Sequence, residues 1–401
     1  MMELSPAPVR LNSTSRGGAP SEEMKGMKAC WVSLPGSAHD STVLLMDETN
    51  GAYCRISLLG GTLLELALPS SPGSSDLAEI FQTQGVGSAG LKLIPWPNRV
   101  DNGEYELPPG KKHQLPINET ARNNAIHGLL PKKTMQVNSL HCTENVAQAL
   151  LSYRFDGKDE GYPFELYVEV NHRLVRGAGL TVTTTAYNVG KEPLPFGDGW
   201  HPYVKLLAKS EQEAEDKEEP TNIPLDDLYL TVTTSPPSTS SQFEELLVNE
   251  RMIPTGERSA WAGMQQQSLS GLSFDTGFFV GNKGSSTASN NNKVLCKLSS
   301  SSSSTPTIVL WQEQEAYPYL QIYTPPNRRS IALEPMSMPT NGFNTGEFLE
   351  LQPLAEGEER REVLALAERI NSCAETYQLS EEERRRWQGK LFVGSYGVYL
   401  E

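Results

Sequence analysis

The sequence predicts an all-β fold, a large antiparallel sandwich, and three observations carry that prediction. Short apolar or alternating segments recur between clusters of Gly, Pro, Asn and Ser, which is the pattern of consecutive strands and turns. No such segment is regularly followed by an amphipathic helix, and no G-x-G-x-x-G or Walker-type loop follows any of them, which disfavours a nucleotide-binding α/β architecture. The chain has 401 residues, and all-β folds run to about 200–250 residues or more as one unit, so length does not force a division into domains.

Taken in order, residues 1–26 are rich in Ser, Pro, Gly and Glu without periodicity and read as a flexible tail. Strands are predicted at Ala29–Leu34, Thr42–Asp47, Tyr53–Leu58 and Thr62–Leu68, and the same texture returns at Ala149–Phe155, Leu166–Leu174 and Gly179–Asn188. It continues at Leu228–Thr233, Gly277–Val280, Ile308–Gln312, Tyr319–Thr324 and Ser330–Leu333. Two loop insertions are expected, near 208–222 and 282–305. The first holds the charge run SEQEAEDKEE, and the second holds GSSTASNNN and six serines at Ser299–Ser304, compositions that bury too little apolar surface to offset their ordering entropy. The main domain is expected over 27–358. Over 359–401 a helical extension is predicted, because Val363, Leu364, Leu366, Ile370 and Cys373 lie close to helical spacing and Ser380-Glu381-Glu382-Glu383 is a capping-box start; it ends in a strand-like Lys390–Leu400.

Composition excludes several classes of partner. With 34 Lys+Arg against 49 Asp+Glu the net charge is -15, the opposite of the concentrated basic face that nucleic acid requires. No apolar run approaches the roughly 18 residues of a membrane span, since even Tyr53–Leu68 is broken by Arg55 and Glu65. The N-terminus has no uninterrupted apolar core of a signal peptide, so a cytoplasmic location is expected. Five scattered cysteines without C-x-x-C spacing argue against a disulfide framework or structural zinc and are read as reduced.

Five stretches concentrate chemistry. In Leu93–Leu107, LIPWPNRVDNGEYEL, two prolines flank Trp96 and hold the chain extended, delivering Asn98 and Arg99 just before a turn at Asp101-Asn102-Gly103. A polar turn, Asn123-Asn124-Ala125-Ile126-His127-Gly128, carries one histidine. In Gly197-Asp198-Gly199-Trp200-His201-Pro202-Tyr203, glycines allow close backbone approach and Pro202 stiffens the chain after His201, punctuation that suits a positioned acid or base. Asp275 opens an aromatic strand in Phe274-Asp275-Thr276-Gly277-Phe278-Phe279. Glu334 follows an apolar strand and precedes a proline in Ile331-Ala332-Leu333-Glu334-Pro335, where a carboxylate is costly unless hydrogen-bonded or functional.

In order and kind these motifs resemble the aldose 1-epimerase (galactose mutarotase) family: Asn98-Arg99-Val100, His127-Gly128, His201-Pro202-Tyr203, Phe274-Asp275 and Leu333-Glu334-Pro335. Glu160-Gly161-Tyr162-Pro163 and Ile253-Pro254-Thr255-Gly256-Glu257 are similar to family loops, and the resemblance spans about Thr42 to Glu358. Departures fall after His127-Gly128, where Leu129-Leu130 stands, after Tyr203, and at the expanded close Leu351–Glu358. They touch the pocket wall and bear on sugar identity more than on reaction type.

The resemblance implies a β-supersandwich that interconverts the α and β anomers of an aldohexose by opening and reclosing its ring. It assigns the base to Glu334 and the acid to His201, with Arg99, His127 and Asp275, and more weakly Asn98, as substrate-binding residues. No metal or organic cofactor is expected; the partner is a small-molecule sugar, and the assembly a monomer or weak dimer. Trp96 and Trp200 are candidates to stack on the sugar. Two other readings share the fold. A hexose-6-phosphate 1-epimerase would need an extra basic group beside Arg99, for which Arg122, Lys132 and Lys133 are candidates. A non-catalytic carbohydrate-binding or regulatory protein would not require both Glu334 and His201.

Overall fold

The computed structural model describes residues 26–33, 41–74, 76–81, 87–207, 222–236, 243–281, 292–302, 305–372, 377 and 379–401. The tail over 1–25 and the charge run lie outside them. Leu207 and Asn222, which flank the charge run, are bridged to each other.

Three antiparallel sheets make up most of the molecule. The N-terminal five-stranded sheet is a meander of Met27–Ser33, Ser41–Asp47, Tyr53–Ser57, Leu63–Pro69 and Leu77–Glu79. A nine-stranded sheet runs, across its width, Gln136–Cys142, Val146–Asp156, Glu165–Val175, Gly179–Asn188, Leu391–Leu400, Ile308–Glu313, Lys293–Ser300, Leu228–Ser235 and Met264–Ser268. An eight-stranded sheet runs Pro254–Trp261, Phe243–Val248, Asp275–Phe279, Tyr319–Tyr323, Ile331–Met336, Gly199–His201 and Leu91–Leu93, with Tyr203–Val204 also on Ile331–Met336. One hydrophobic cluster draws on all three, among them Val43, Ile56, Val168, Leu230, Leu310, Ile322 and Leu333. Period-two alternation explains the strands: every second residue is buried throughout Leu228–Ser235, and in Lys293–Ser300 as far as Leu298.

Two expectations need correction. The segment 282–305 is not a loop throughout, because Lys293–Ser300 is a strand paired with Leu228–Ser235 on one side and Ile308–Glu313 on the other. Its polar composition hides the alternation of Val294, Cys296 and Leu298, all buried. The reading of 359–401 as a helical extension captures the helices Glu358–Ser372 and Glu381–Trp387, the second with the expected Ser380/Glu383 capping box. The expected strand-like Lys390–Leu400 is the strand Leu391–Leu400, but it pairs with Gly179–Asn188 and Ile308–Glu313 in the middle of the nine-stranded sheet and so belongs to the main fold rather than to an extension. Among the described residues no helix is long and apolar enough to cross a membrane.

Candidate active site

Most of the site is built on one face of the eight-stranded sheet. Glu334 lies within the strand Ile331–Met336 rather than after it, directly across from Gln321 on the neighbouring strand. Alternation sends Ile331, Leu333, Leu320 and Ile322 to the core and leaves Glu334 and Gln321 on the other face. Asp275 opens the next strand over and accepts a hydrogen bond from Gln321 Nε2 at 2.9 Å. Gln321 is a site residue that sequence reasoning missed; its one signal is a polar residue inside an otherwise apolar buried strand.

His201 ends the short strand Gly199–His201, which is held between Leu91–Leu93 and Ile331–Met336. A Cβ on Gly199 would stand 2.7 Å from Pro97 Cβ, so only glycine lets the proline-rich segment lie against this strand. Beneath His201 a buried ion pair anchors the strand. Lys92 Nζ donates to Asp198 Oδ2 at 2.6 Å, with the hydroxyl of Tyr317 on the same oxygen at 2.8 Å and that of Tyr396 on Lys92 at 3.1 Å. Trp200 is stacked on Tyr396, and Trp96 packs against Phe343; both indoles lie in the hydrophobic core, which removes them as sugar-stacking surfaces.

The loops bearing Arg99 and His127 are stitched together. Arg99–Asp101 pairs with Asn124–Ile126, the His127 N–H donates to the Asn98 carbonyl at 2.9 Å, and Leu129 and Leu130 donate to the Ile94 carbonyl. His127 has φ 68° and Gly128 φ 70°. A Cβ on Gly128 would come within 2.3 Å of the Ile94 oxygen, so the close turn that aims His127 depends on glycine there.

These elements bring the motif residues together. His201 Nε2 stands 3.3 Å from Glu334 Oε1. The rings of His127 and His201 meet edge to face with centroids 5.1 Å apart, and Tyr203 stacks on the other side of His201 at 4.9 Å. Arg99 Nη2 lies 3.6 Å from Asp275 Oδ2, and Arg99 Nη1 donates to Asn98 Oδ1 at 3.3 Å, so Asn98 steadies the guanidinium. A small cavity is lined by Arg99, Asp275 and Gln321 together with Leu246, Met252 and Pro254; Glu334, His201 and His127 are not among its lining residues.

The electrostatics follow from burial. Desolvation pushes Glu334 well above the usual carboxylate range, with Asp275 adding to the rise and Arg99 opposing it. The same desolvation pushes His201 well below its usual value, reinforced by His127 and Arg99, and His127 falls to about 3 through burial and then Arg99. Glu334 Oε2 and His127 Nδ1 are buried without a protein hydrogen-bond partner, an arrangement that favours a polar ligand able to satisfy them. Among the described residues no three His, Cys, Asp or Glu side chains converge as metal ligands.

The model of the family described as aldose 1-epimerase matches residues 42–367. The chain belongs to that family. The epimerase fold is shared at low identity by a galactose mutarotase-like protein from Clostridium acetobutylicum, with TM-score 0.66, 17% identity and coverage of 94% of this chain and 99% of that one. It is shared also by the galactose 1-epimerase of Lactobacillus acidophilus, with TM-score 0.61, 15% identity and coverage of 94% and 99%. In sequence the chain is similar to the uncharacterized protein YihR of Escherichia coli K12, 29% identical over 296 residues that cover 74% of this chain and 81% of that protein.

Proposed function

We propose that this family member interconverts the anomers of an unphosphorylated aldohexose, and the observation that carries the reading is the buried His201–Glu334 pair, 3.3 Å apart beside Arg99 and Asp275. In its carboxylate form Glu334 takes the proton of the anomeric hydroxyl. The bond between the anomeric carbon and the ring oxygen breaks, its electron pair goes to the ring oxygen, and His201 supplies the proton there. The product is the open-chain aldehyde, which rotates about one carbon–carbon bond and recloses on its other face with each proton returned. Asp275, Gln321, His127 and Arg99 hold hydroxyls and the ring oxygen. Each positioned acid or base contributes about 100- to 10,000-fold.

Charge pairing at three cations supports an uncharged sugar over a phosphorylated one. Arg122 is paired with Glu119 at 3.0 Å, Arg251 with Asp101 at 2.8 Å, and Lys133 with Asp159, so a phosphate would have to break an existing pair at each, whereas Lys132, the other candidate, is exposed and without an ion pair among the described residues. Polarimetry or exchange NMR on freshly dissolved anomers, each with and without a 6-phosphate, tests the reading. Accelerated anomerisation of the free sugars is expected; acceleration of the phosphates alone would replace it with the phosphate reading, and acceleration of none would remove both.

A further inference from the structure

We infer that Glu119, a residue outside every matched motif, is the positioning residue for Arg99 and thereby for the reaction; the inference rests on the reading of Arg99 as a substrate contact. Arg99 and Glu119 form a fork. Nε donates to Oε2 at 2.9 Å and Nη2 donates to Oε1 at 3.0 Å, which fixes the plane of the guanidinium as well as its distance. With that edge engaged and Nη1 turned to Asn98, the remaining N–H groups of Nη1 and Nη2 are those available to the cavity and to Asp275.

Glu119 is itself held in place before any sugar arrives. Its backbone exchanges two hydrogen bonds with Asn124, N–H to carbonyl in each direction, closing the turn between them. Asn124 Nδ2 donates to Oε2 at 3.0 Å and Arg122 Nη1 donates to Oε1 at 3.0 Å. Asn124 is in turn fixed by Arg251, whose Nη2 donates to Asn124 Oδ1 at 3.1 Å. Three side chains, Asn124 and Arg122 directly and Arg251 through Asn124, thus fix one carboxylate, and the carboxylate fixes one guanidinium. Glu119 also balances the charge of an arginine whose side chain is only 9% exposed, which an unpaired guanidinium could not hold at low cost.

The test is a cycle of E119Q, E119D, R99K and E119Q/R99K, each first shown to melt cooperatively, assayed by exchange NMR on the anomers. Gln at 119 turns an amide N–H toward the guanidinium, and a misaligned guanidinium is expected to lower kcat/KM by roughly 10- to 100-fold. E119D, which keeps the charge, should recover part of that loss. In the R99K background E119Q should cost no more than about twofold, because the group it positions is already gone. An equal loss in both backgrounds makes Glu119 a stabiliser of its turn and overturns the inference; should E119Q fail to fold, E119D carries the same cycle. An independent readout is the Nε–Hε NMR signal of Arg99, assigned by its absence in R99K. It should shift in E119Q and stay in E334Q. An unshifted signal in E119Q overturns the positioning claim by itself, whereas a wild-type protein inactive on every anomer overturns the functional reading and leaves that signal to report on the fork alone.

Discussion

Glu334 Oε1 and His201 Nε2 face each other across 3.3 Å on strands that lie side by side in the eight-stranded sheet. Burial moves the two groups in opposite directions, the carboxyl up and the imidazole down. Burial thus favours a neutral carboxyl and a neutral imidazole over the carboxylate and imidazolium that the sequence reading assigns to catalysis. The working form, carboxylate and imidazolium, has the same proton count, so the pair reaches it by moving one proton internally, and its titrations belong to the pair.

That arrangement sets the pH profile. In wild type kcat/KM should trace a bell: a second proton on the pair switches it off in acid, and loss of the shared proton switches it off in alkali. With His201→Asn only Glu334 titrates. The rate should be lower, the alkaline fall should vanish, and one limb should remain, rising with pH through the elevated pKa of Glu334. An alkaline fall that survives in this variant would move the acid role to His127.

Glu334→Gln should separate activity from stability. The amide cannot accept a proton, so anomerisation should drop by at least about 100-fold. The sign for stability is opposite: a carboxyl whose folded pKa is raised keeps its proton in the folded state while the unfolded state ionises above about 4.5, so wild-type stability falls as pH rises from there to the folded pKa. Gln does not carry that loss. Its Tm should exceed wild type by about 2 °C or more near neutral pH, with the gain shrinking below about pH 4.5; a lower Tm at neutral pH counts against a strained carboxyl.

The residues legible in the sequence are those whose neighbours restrict the chain. Arg99 after two prolines, His201 among glycines with a following proline, and Glu334 on an apolar strand all stand out locally, and the fold brings them together. Strands of three residues, such as Leu91–Leu93 and Gly199–His201, are too short to show a period. Gln321 has only the weak signal of a polar residue in an apolar strand and Glu119 has none, because what singles them out is a partner 46 residues away for one and 20 for the other. The tract KVLCKLSS failed for a different reason: Lys293, Lys297 and Ser299 lie on the less buried face of a strand and mask the three buried residues, Val294, Cys296 and Leu298, that alternate with them.

Removing Ser285–Ser304 takes out the strand Lys293–Ser300 with both of its ladders. The variant should lose its cooperative melting transition, contrary to what a loop would predict. A retained transition within a few degrees of wild type would show that the nine-stranded sheet closes without this strand.

Gly397→Ala should destabilise the sheet interior without touching His201 or Glu334. A Cβ there would stand 2.4 Å from the Leu180 oxygen and 2.7 Å from Trp311 Nε1. Overpacking of this kind costs about 1–3 kcal/mol, to be read by chemical denaturation, with kcat/KM per folded molecule expected within about twofold of wild type.

Leu391–Leu400 is the one bridge between the two halves of the nine-stranded sheet. Four strands from Gln136 to Asn188 and four from Leu228 to Glu313 meet only through it. Tyr396, on the same strand, also braces Lys92 under His201. With this strand unpaired each half-sheet exposes an open edge, so one local opening would split the sheet and remove the support beneath His201 together.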